Sequence, residues 1–376
     1  MLKLFTTAIC LSSASLSYAG PGQAPCVWGS LTFPTLTRGV EIVGDIAYVT
    51  NLGQGLQIID ISEPSEPILL GTYDTPDTAW NVAVSGSFAY VADRLSGMQI
   101  IDVSDPTSPT FVSSIDTPGA ASGIKVANGF AYIADANMGL QIYNVSNPAA
   151  PVLVGSRANP GNNSWDVDIQ GNLAFLADFG AGMRIIDITN PAAPVLLSTI
   201  SIDPDSNYSV AVSGSIVYAA NGLFGIQVFD VSVPTAPSLM TVIDTPGRAR
   251  NIGVSGTRLF VADESPGMQI YDITNPLAAF QISSYNEAGT TNDIEMVGDT
   301  IFMCHSTKFL VLDFNGDCPL PCAGDLNEDR LLNLQDIFLF LDAWSSMDPS
   351  ADLDGNGSFT LADILMYLED FNAGCP

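Results

Sequence analysis

The chain has 376 residues, with 40 Asp and Glu against 11 Lys and Arg and a formal net charge of −29. So large an excess of negative charge excludes a nucleic-acid backbone or an anionic membrane surface as partner, since either would repel it. Length alone suggests two or three domains, an expectation that the internal repetition described below overrules.

At the N-terminus, Lys3, the apolar run Leu4 to Leu11 and the small-residue stretch ending Ser17-Tyr18-Ala19 have the layout of a signal peptide over residues 1–19. This predicts bacterial-type export to a secreted or cell-surface location. Cys10 lies too early in the segment to be a lipidated cysteine. No other run approaches the length of a membrane span, so no transmembrane segment is expected in the mature chain. Five cysteines remain after cleavage, Cys26, Cys304, Cys318, Cys322 and Cys375, an odd number that leaves one unpaired. Cys304 stands where other repeats carry Ala92, Ala134 or Ala177, which marks it as a buried, inert thiol.

From there a unit of the form (I/V)-x-V-x-G-x-x-(A/L)-(Y/F)-(V/I/L)-A-D…G-(L/M)-Q-I-I-D-(V/I)-S-x-P-x-x-P recurs along most of the chain. Its aromatic position falls at Tyr48, Tyr90, Tyr132, Phe175, Tyr218, Phe260 and Phe302, in steps of 42, 42, 43, 43, 42 and 42 residues. That period suits one four-stranded propeller blade per repeat. Within the second copy, residues 82–84, 88–92, 98–103 and 110–115 are β-rich runs separated by Ser85-Gly86, Ser96-Gly97 and the Asp105 to Pro109 turn. The expected fold is therefore all-β, a seven-bladed β-propeller of ~42-residue repeats over residues 20–317. The last copy stops after Asp313 without a fourth-strand segment, whereas residues 25–34, PCVWGSLTFP, match that segment in their Pro, Gly and Ser/Thr placement. The first strand of the mature chain is thus expected to complete the last blade. Cys26 and Cys318 then both lie beside the closure and are expected to pair.

The runs LQIIDIS (56–62), MQIIDVS (98–104), LQIYNVS (140–146), MRIIDIT (183–189), IQVFDVS (226–232) and MQIYDIT (268–274) resemble the LVIVD-repeat family, a propeller-type repeat of secreted and surface-attached prokaryotic proteins. The resemblance covers about three quarters of the chain by the span of its repeats and implies a fold more than a chemistry.

Catalytic signatures are sparse. No G-x-S-x-G elbow, H-E-x-x-H, phosphate loop or dinucleotide fingerprint is present. The single histidine, His305, replaces in register the residues Asn51, Asp93, Asp135, Asp178, Asn221 and Asp263, and a strand-ending polar cap accounts for this row better than a ring of metal ligands. More informative is the freely varying position two before the first-strand Val: Arg38, Trp80, Ser122, Trp165, Tyr208, Arg250 and Asn292. Arg38, Trp80, Trp165, Tyr208 and Arg250 are the candidate ligand-binding residues, able to stack on a glycan or anchor a protein segment at the channel mouth; packing between adjacent blades explains the same row equally well. A nearby row, Glu41, Ala83, Lys125, Asp168, Ala211, Gly253 and Glu295, is expected to line the channel.

After a linker at 318–322 comes a small domain, 323–376, with two twelve-residue loops. Asp325, Asn327, Asp329, Leu331, Asn333 and Asp336 occupy positions 1, 3, 5, 7, 9 and 12 of the first, and Asp352, Asp354, Asn356, Ser358, Thr360 and Asp363 those of the second. Oxygen ligands at this spacing wrap a hard cation, so two calcium ions are expected. Each loop runs into an amphipathic helix, Ile337 to Trp344 and Ile364 to Phe371. Paired half EF-hands with Asp at position 12 look like a dockerin, the module that attaches secreted proteins to cohesin-like partners or to the cell surface. The ending Ala373-Gly374-Cys375-Pro376 is similar to the GC-type dockerin, which implies a Cys322–Cys375 disulfide. Arg330 departs from the pattern at position 6, where Gly357 supplies the expected glycine in the second loop. The function these features suggest is an exported, non-catalytic display or binding propeller held by a calcium-dependent attachment module. The alternative is a polysaccharide-active hydrolase or lyase using Asp168 with Glu295 or Glu41 across the channel.

Overall fold

The computed structural model describes residues 25–159, 163–201, 207–265, 267–314, 334–348, 351, 353 and 357–373. The chain separates into two compact units with the division between Gly316 and Asp317.

Among the described residues the first unit holds seven four-stranded antiparallel sheets. In the second blade the strands are Asn81–Ser85, Phe88–Ala92, Met98–Asp102 and Thr110–Ile115, within a residue of the β-rich runs in the sequence. The second and third strands are almost wholly buried, and the fourth is half exposed, as radial stacking of blades requires. Each first strand touches the first strands of both neighbouring blades, and the ring closes through contact of Thr291–Val297 with Thr37–Val43. Each of the seven interfaces between blades carries its own hydrophobic cluster. The core is therefore distributed around the ring, which explains why the repeat is apolar on both faces of its inner strands.

Closure is made as the sequence implied. Cys26–Thr32 pairs antiparallel with Lys308–Asp313, in register from Cys26 opposite Asp313 to Thr32 opposite Lys308, and supplies the outer strand of the seventh blade. The glycine in PCVWGSLTFP has a steric reason. A Cβ at Gly29 would collide with the Pro64 carbonyl of the next blade, just as one at Gly71 would meet Pro106 and one at Gly155 would meet Pro191. Where a blade carries serine instead, the hydroxyl donates to the same carbonyl: Ser113 Oγ to Pro148 O at 2.6 Å and Ser198 Oγ to Pro234 O at 2.8 Å. The conserved pattern D-(V/I)-S within the repeats is an Asx turn in which the Asp carboxylate accepts the Ser or Thr N–H two residues on, as in Asp60 to Ser62 and Asp102 to Ser104, both 2.9 Å.

In the second unit, α1 spans Leu334–Ser345 and α2 spans Leu361–Ala373, each slightly longer than its amphipathic run. Phe340 and Tyr367 stack with centroids 4.1 Å apart and are buried, with Ile337, Trp344, Phe359 and Ile364 packed around them. Among the described residues no helix is long and apolar enough to cross a membrane. The signal-peptide segment, the linker, Cys318, Cys322, Cys375, Asp325, Asn327, Asp329, Leu331, Asn333, Asp352, Asp354 and Asn356 lie outside the described residues, as does the side chain of Asp336.

Candidate functional site

The variable row converges. Arg38, Trp80, Trp165, Tyr208, Arg250 and Asn292, from six different blades, line one cavity of about 40 Å³ together with Asn81, Asp166, Ser209 and Asn251. All belong to the entry of first strands, which places the cavity at one mouth of the channel. Ser122, the remaining member of the row, does not line the cavity, but its hydroxyl accepts from the Arg94 guanidinium at 2.6 Å.

Rings and guanidiniums interlock here. Trp80 and Trp165 have centroids 5.4 Å apart, Trp165 and Tyr208 6.5 Å, and Phe179 fills in beside Tyr208 at 5.6 Å. Arg38 lies over the Trp80 ring at 3.9 Å, Arg94 over the same ring at 4.6 Å and over Trp165 at 5.5 Å, and Arg250 over Tyr208 at 5.2 Å. Such stacks hold a cation with its donor edge still available for other partners. Arg38 donates to Asn292 Oδ1 at 3.0 Å, and Arg250 is ion-paired with Glu264. Burial, with Arg250 and Arg94 nearby, lowers the Arg38 guanidinium to about 10 against the opposing influence of Asp293. Arg94, Phe179 and Arg248, whose guanidinium donates to Tyr208 Oη at 3.1 Å, are site residues that the repeat pattern did not flag. Arg94 and Phe179 each directly follow a strand-ending Asp, Asp93 and Asp178, so the position after that polar cap is the signal that would have found them.

Three residues further along the same strands the chemistry reverses. A second cavity, about 220 Å³, is lined by Glu41, Lys125, Asp166, Asp168, Asp293 and Glu295 among others. These carboxylates act as ties between blades. Asp166 Oδ2 accepts Ser209 Oγ at 2.7 Å and Val210 N at 3.2 Å, and Asp168 Oδ2 accepts Val212 N at 2.9 Å. On the other side of the ring, Asp293 Oδ2 accepts Val40 N at 2.9 Å and Glu295 Oε2 accepts Ile42 N at 2.8 Å. The inner edge of a first strand has no fifth strand to pair with, and these side chains satisfy its N–H groups from the preceding blade. Burial raises Asp293 to about 6, and burial with Glu41 and Asp293 raises Glu295 to about 8. Lys125 reaches channel solvent while being enclosed by these groups. Burial disfavours its charge, but Glu41, Asp168, Asp166 and Asp293 outweigh that and lift it above the ordinary lysine value.

The polar row at the strand ends is structural. Asp93 accepts Thr75 Oγ1 at 2.8 Å and Asp77 N at 3.1 Å, and Asp135 accepts Thr117 Oγ1 at 2.7 Å and Gly119 N at 2.9 Å. Each holds the loop that leads into its own blade, a longer-range role than closing a hairpin. Burial raises Asp93, Asp178 and Asp263 to about 6. His305 is buried at the end of its strand, with Nδ1 3.0 Å from Thr291 Oγ1, and lines neither cavity. Among the described residues no group of three or more His, Cys, Asp or Glu is arranged to hold a metal ion. Cys304 is free and fully buried, as its alanine-like register suggested.

A closed ring of seven four-stranded blades with its variable side chains gathered at one channel mouth defines a β-propeller repeat protein. The LVIVD repeat matches residues 36–75, 77–117, 118–158, 161–201, 206–245 and 246–287, more than half of the chain, which therefore belongs to the LVIVD-repeat family. The seventh blade, assembled from both ends of the unit, falls outside those matches. A comparison with curated proteins finds no relative. Among solved structures the fold is similar to the Myceliophteria thermophila Cps50 (Swd1) β-propeller domain, with TM-score 0.64, 10% identity and coverage of 77% of this chain and 99% of that one. It is also similar to the RRP9 WD40 repeats (0.63, 10%, 77% and 99%) and to the computationally designed Ika8 protein (0.58, 6%, 75% and 97%). At such identities the likeness is one of fold alone.

Proposed function

We propose that this chain is an exported, non-catalytic recognition propeller that binds a glycan or protein ligand at the channel mouth. The observation that carries this reading is the convergence of Arg38, Trp80, Trp165, Tyr208 and Arg250 from five blades on one cavity. Position by position these residues vary where the rest of the repeat is held constant, and buried aromatic and Arg side chains are the groups that dominate binding surfaces. Arraying the full chain against glycans and peptides, with Trp165→Ala as control, tests it. A ligand retained by the wild type and lost by the variant supports the reading, and equal retention by both sinks it.

The attachment half of the proposal is a dockerin-like module over residues 323–376 holding two calcium ions and a cohesin-like or cell-surface partner. Its support lies in the second loop. Gly357 has φ +77, the left-handed turn that position 6 requires, and buried Asp363 at position 12 folds back to accept Leu353 N at 3.0 Å and Thr360 N at 2.7 Å. Calcium titration of the full chain by calorimetry should return two ions. Absence of heat, with no helicity change on chelation, would overturn the assignment. The Cys26–Cys318 and Cys322–Cys375 bridges belong to the same proposal; Cys26 stands at the closure opposite Asp313 and is not a free thiol. Peptide mapping under non-reducing conditions tests both. Export through cleavage after Ala19 is checked by the N-terminal sequence of the mature protein.

One observation favours the enzymatic alternative. Glu295, held protonated near neutrality beside Glu41 in the channel, has the state a general acid needs. Polysaccharide cleavage by the wild type that disappears in Glu295→Gln would establish it, and binding without turnover would leave the display reading in place.

A further inference from the structure

We propose that the channel mouth is an oxyanion receptor, in which the Arg38 guanidinium and the Trp165 indole N–H seat a carboxylate, sulfate or phosphate group of the ligand while Arg94 adds positive charge beside it. This rests on the reading of the mouth as a binding site and names the chemistry it takes.

The argument begins with charge economy. The chain carries 40 acidic side chains for 11 basic ones, so a carboxylate partner is easy to supply to any arginine. Yet among the described residues neither Arg38 nor Arg94 is in an ion pair. Arg38 is satisfied by an amide oxygen and a Trp ring, and Arg94 by a serine hydroxyl and two Trp rings. Gathering half-buried guanidiniums costs mutual repulsion, which adds to the larger effect of burial in lowering the Arg38 value. An anion placed among them reverses that cost.

Two of the acceptors that share the cavity, Asp166 and Asn292, are already taken. Asp166, its one lining carboxylate, accepts from Ser209, Val210 and Val167 N. Asn292 Oδ1 accepts from Arg38, and its amide donates to Thr37 O at 2.8 Å. On the donor side, Trp165 Nε1 is buried with no acceptor among the described residues. A buried N–H without a partner costs about 1–3 kcal/mol, which a bound oxyanion would remove. Size agrees as well: a cavity of about 40 Å³ admits a single small polar group and leaves the remainder of a ligand on the Trp80, Tyr208 and Phe179 rim.

The experiment titrates the full-length protein, in chloride-free buffer, with inorganic sulfate, inorganic phosphate, D-glucuronate and D-glucose, read by tryptophan fluorescence and calorimetry. At least one of the three anions is expected to bind, glucose is not, and the anion that binds best identifies the source chemistry. Arg38→Gln should weaken binding at least about tenfold, as loss of a charge-assisted bond does, and added salt should weaken it further. Arg94→Gln, half-buried on the hairpin after the second strand of its blade, should weaken it about threefold through the lost field, with the thermal midpoint of the variant checking that it is folded. No anion binding by the folded wild type, or binding indifferent to both substitutions, overturns the proposal. A neutral array ligand lost in Trp165→Ala but kept in Arg38→Gln would leave the recognition reading standing while removing the oxyanion.

Discussion

The mouth and the interior of the channel are built on the same seven strands, three residues apart, and solve opposite problems. Arg38, Trp165 and Asn292 face the mouth, whereas Glu41, Asp168 and Glu295, each three residues on, face the interior. Interior charges are spent on the protein itself: Asp166, Asp168, Asp293 and Glu295 reach across to the N–H groups of the next first strand. At the mouth, Arg38 and Arg94 rest on aromatic rings and neutral oxygens, and Arg250 alone of the three pairs with a carboxylate, Glu264. Both rows are rich in ionisable residues, so a count of charges does not separate a structural tie from a binding group, but the partner of each charge does.

The largest effect should follow from cutting a tie. Asp293→Leu leaves Val40 N and the Asn251 amide without their acceptor, and loss of about 3 kcal/mol in urea unfolding is expected. A loss below about 1 kcal/mol would mean that the interior carboxylates are as dispensable to the fold as those at a binding site.

Next comes the pH profile. Asp93, Asp178, Asp263 and Asp293, raised to about 6, and Glu295, raised to about 8, bind protons more readily folded than unfolded. Their contribution to stability is therefore complete below the unfolded carboxylate values and is lost as pH rises through the folded ones. The turn carboxylates Asp60, Asp102, Asp187, Asp230 and Asp272 are lowered, mainly by bonds from Ser or Thr two residues on, and lose their contribution in the opposite direction, as pH falls. Thermal stability should peak near pH ~4, at the unfolded carboxylate values, and decline toward pH ~8.5. Glu295→Gln should flatten the upper part of that decline. An unchanged slope would locate the pH response elsewhere.

Smaller still is the mouth. Trp165→Ala removes three ring contacts and should cost about 1–2 kcal/mol while abolishing binding at the mouth. A larger loss of stability, with binding intact, would assign the row to packing between blades. Smallest is Cys304→Ala, which restores the residue found in register at Ala92 and Ala134 and should change stability by less than about 1 kcal/mol. Its thiol, raised by burial, should react with alkylating reagents only on unfolding.

Much of this was legible from residue order because blade contacts are local. Tyr90, Gly71 and the Asx turn at Asp102 each act within one repeat or against the next, so identical environments demand identical residues and the period emerges. The closure by Cys26–Thr32 was legible for the same reason, since Gly29 meets the same proline carbonyl as Gly71. Arg94 and Phe179 were not, because they reach the mouth from hairpins at the far end of the second strand, about fifteen residues from the row they join. Nor was the distinction between a polar cap that closes a hairpin and one that holds the incoming loop, which depends on where Thr75 and Asp77 lie relative to Asp93.

Residue order determined the number of blades, their strands, the seam at which the ring closes, and which position in each blade is free to vary, because these follow from short-range hydrogen bonding and steric fit repeated at a constant period. Tertiary structure alone decided which charges are spent and which are available. That depends on distances between side chains from different blades, such as Asp293 to Val40 or Arg38 to Trp80, and those distances exist only once the ring has closed.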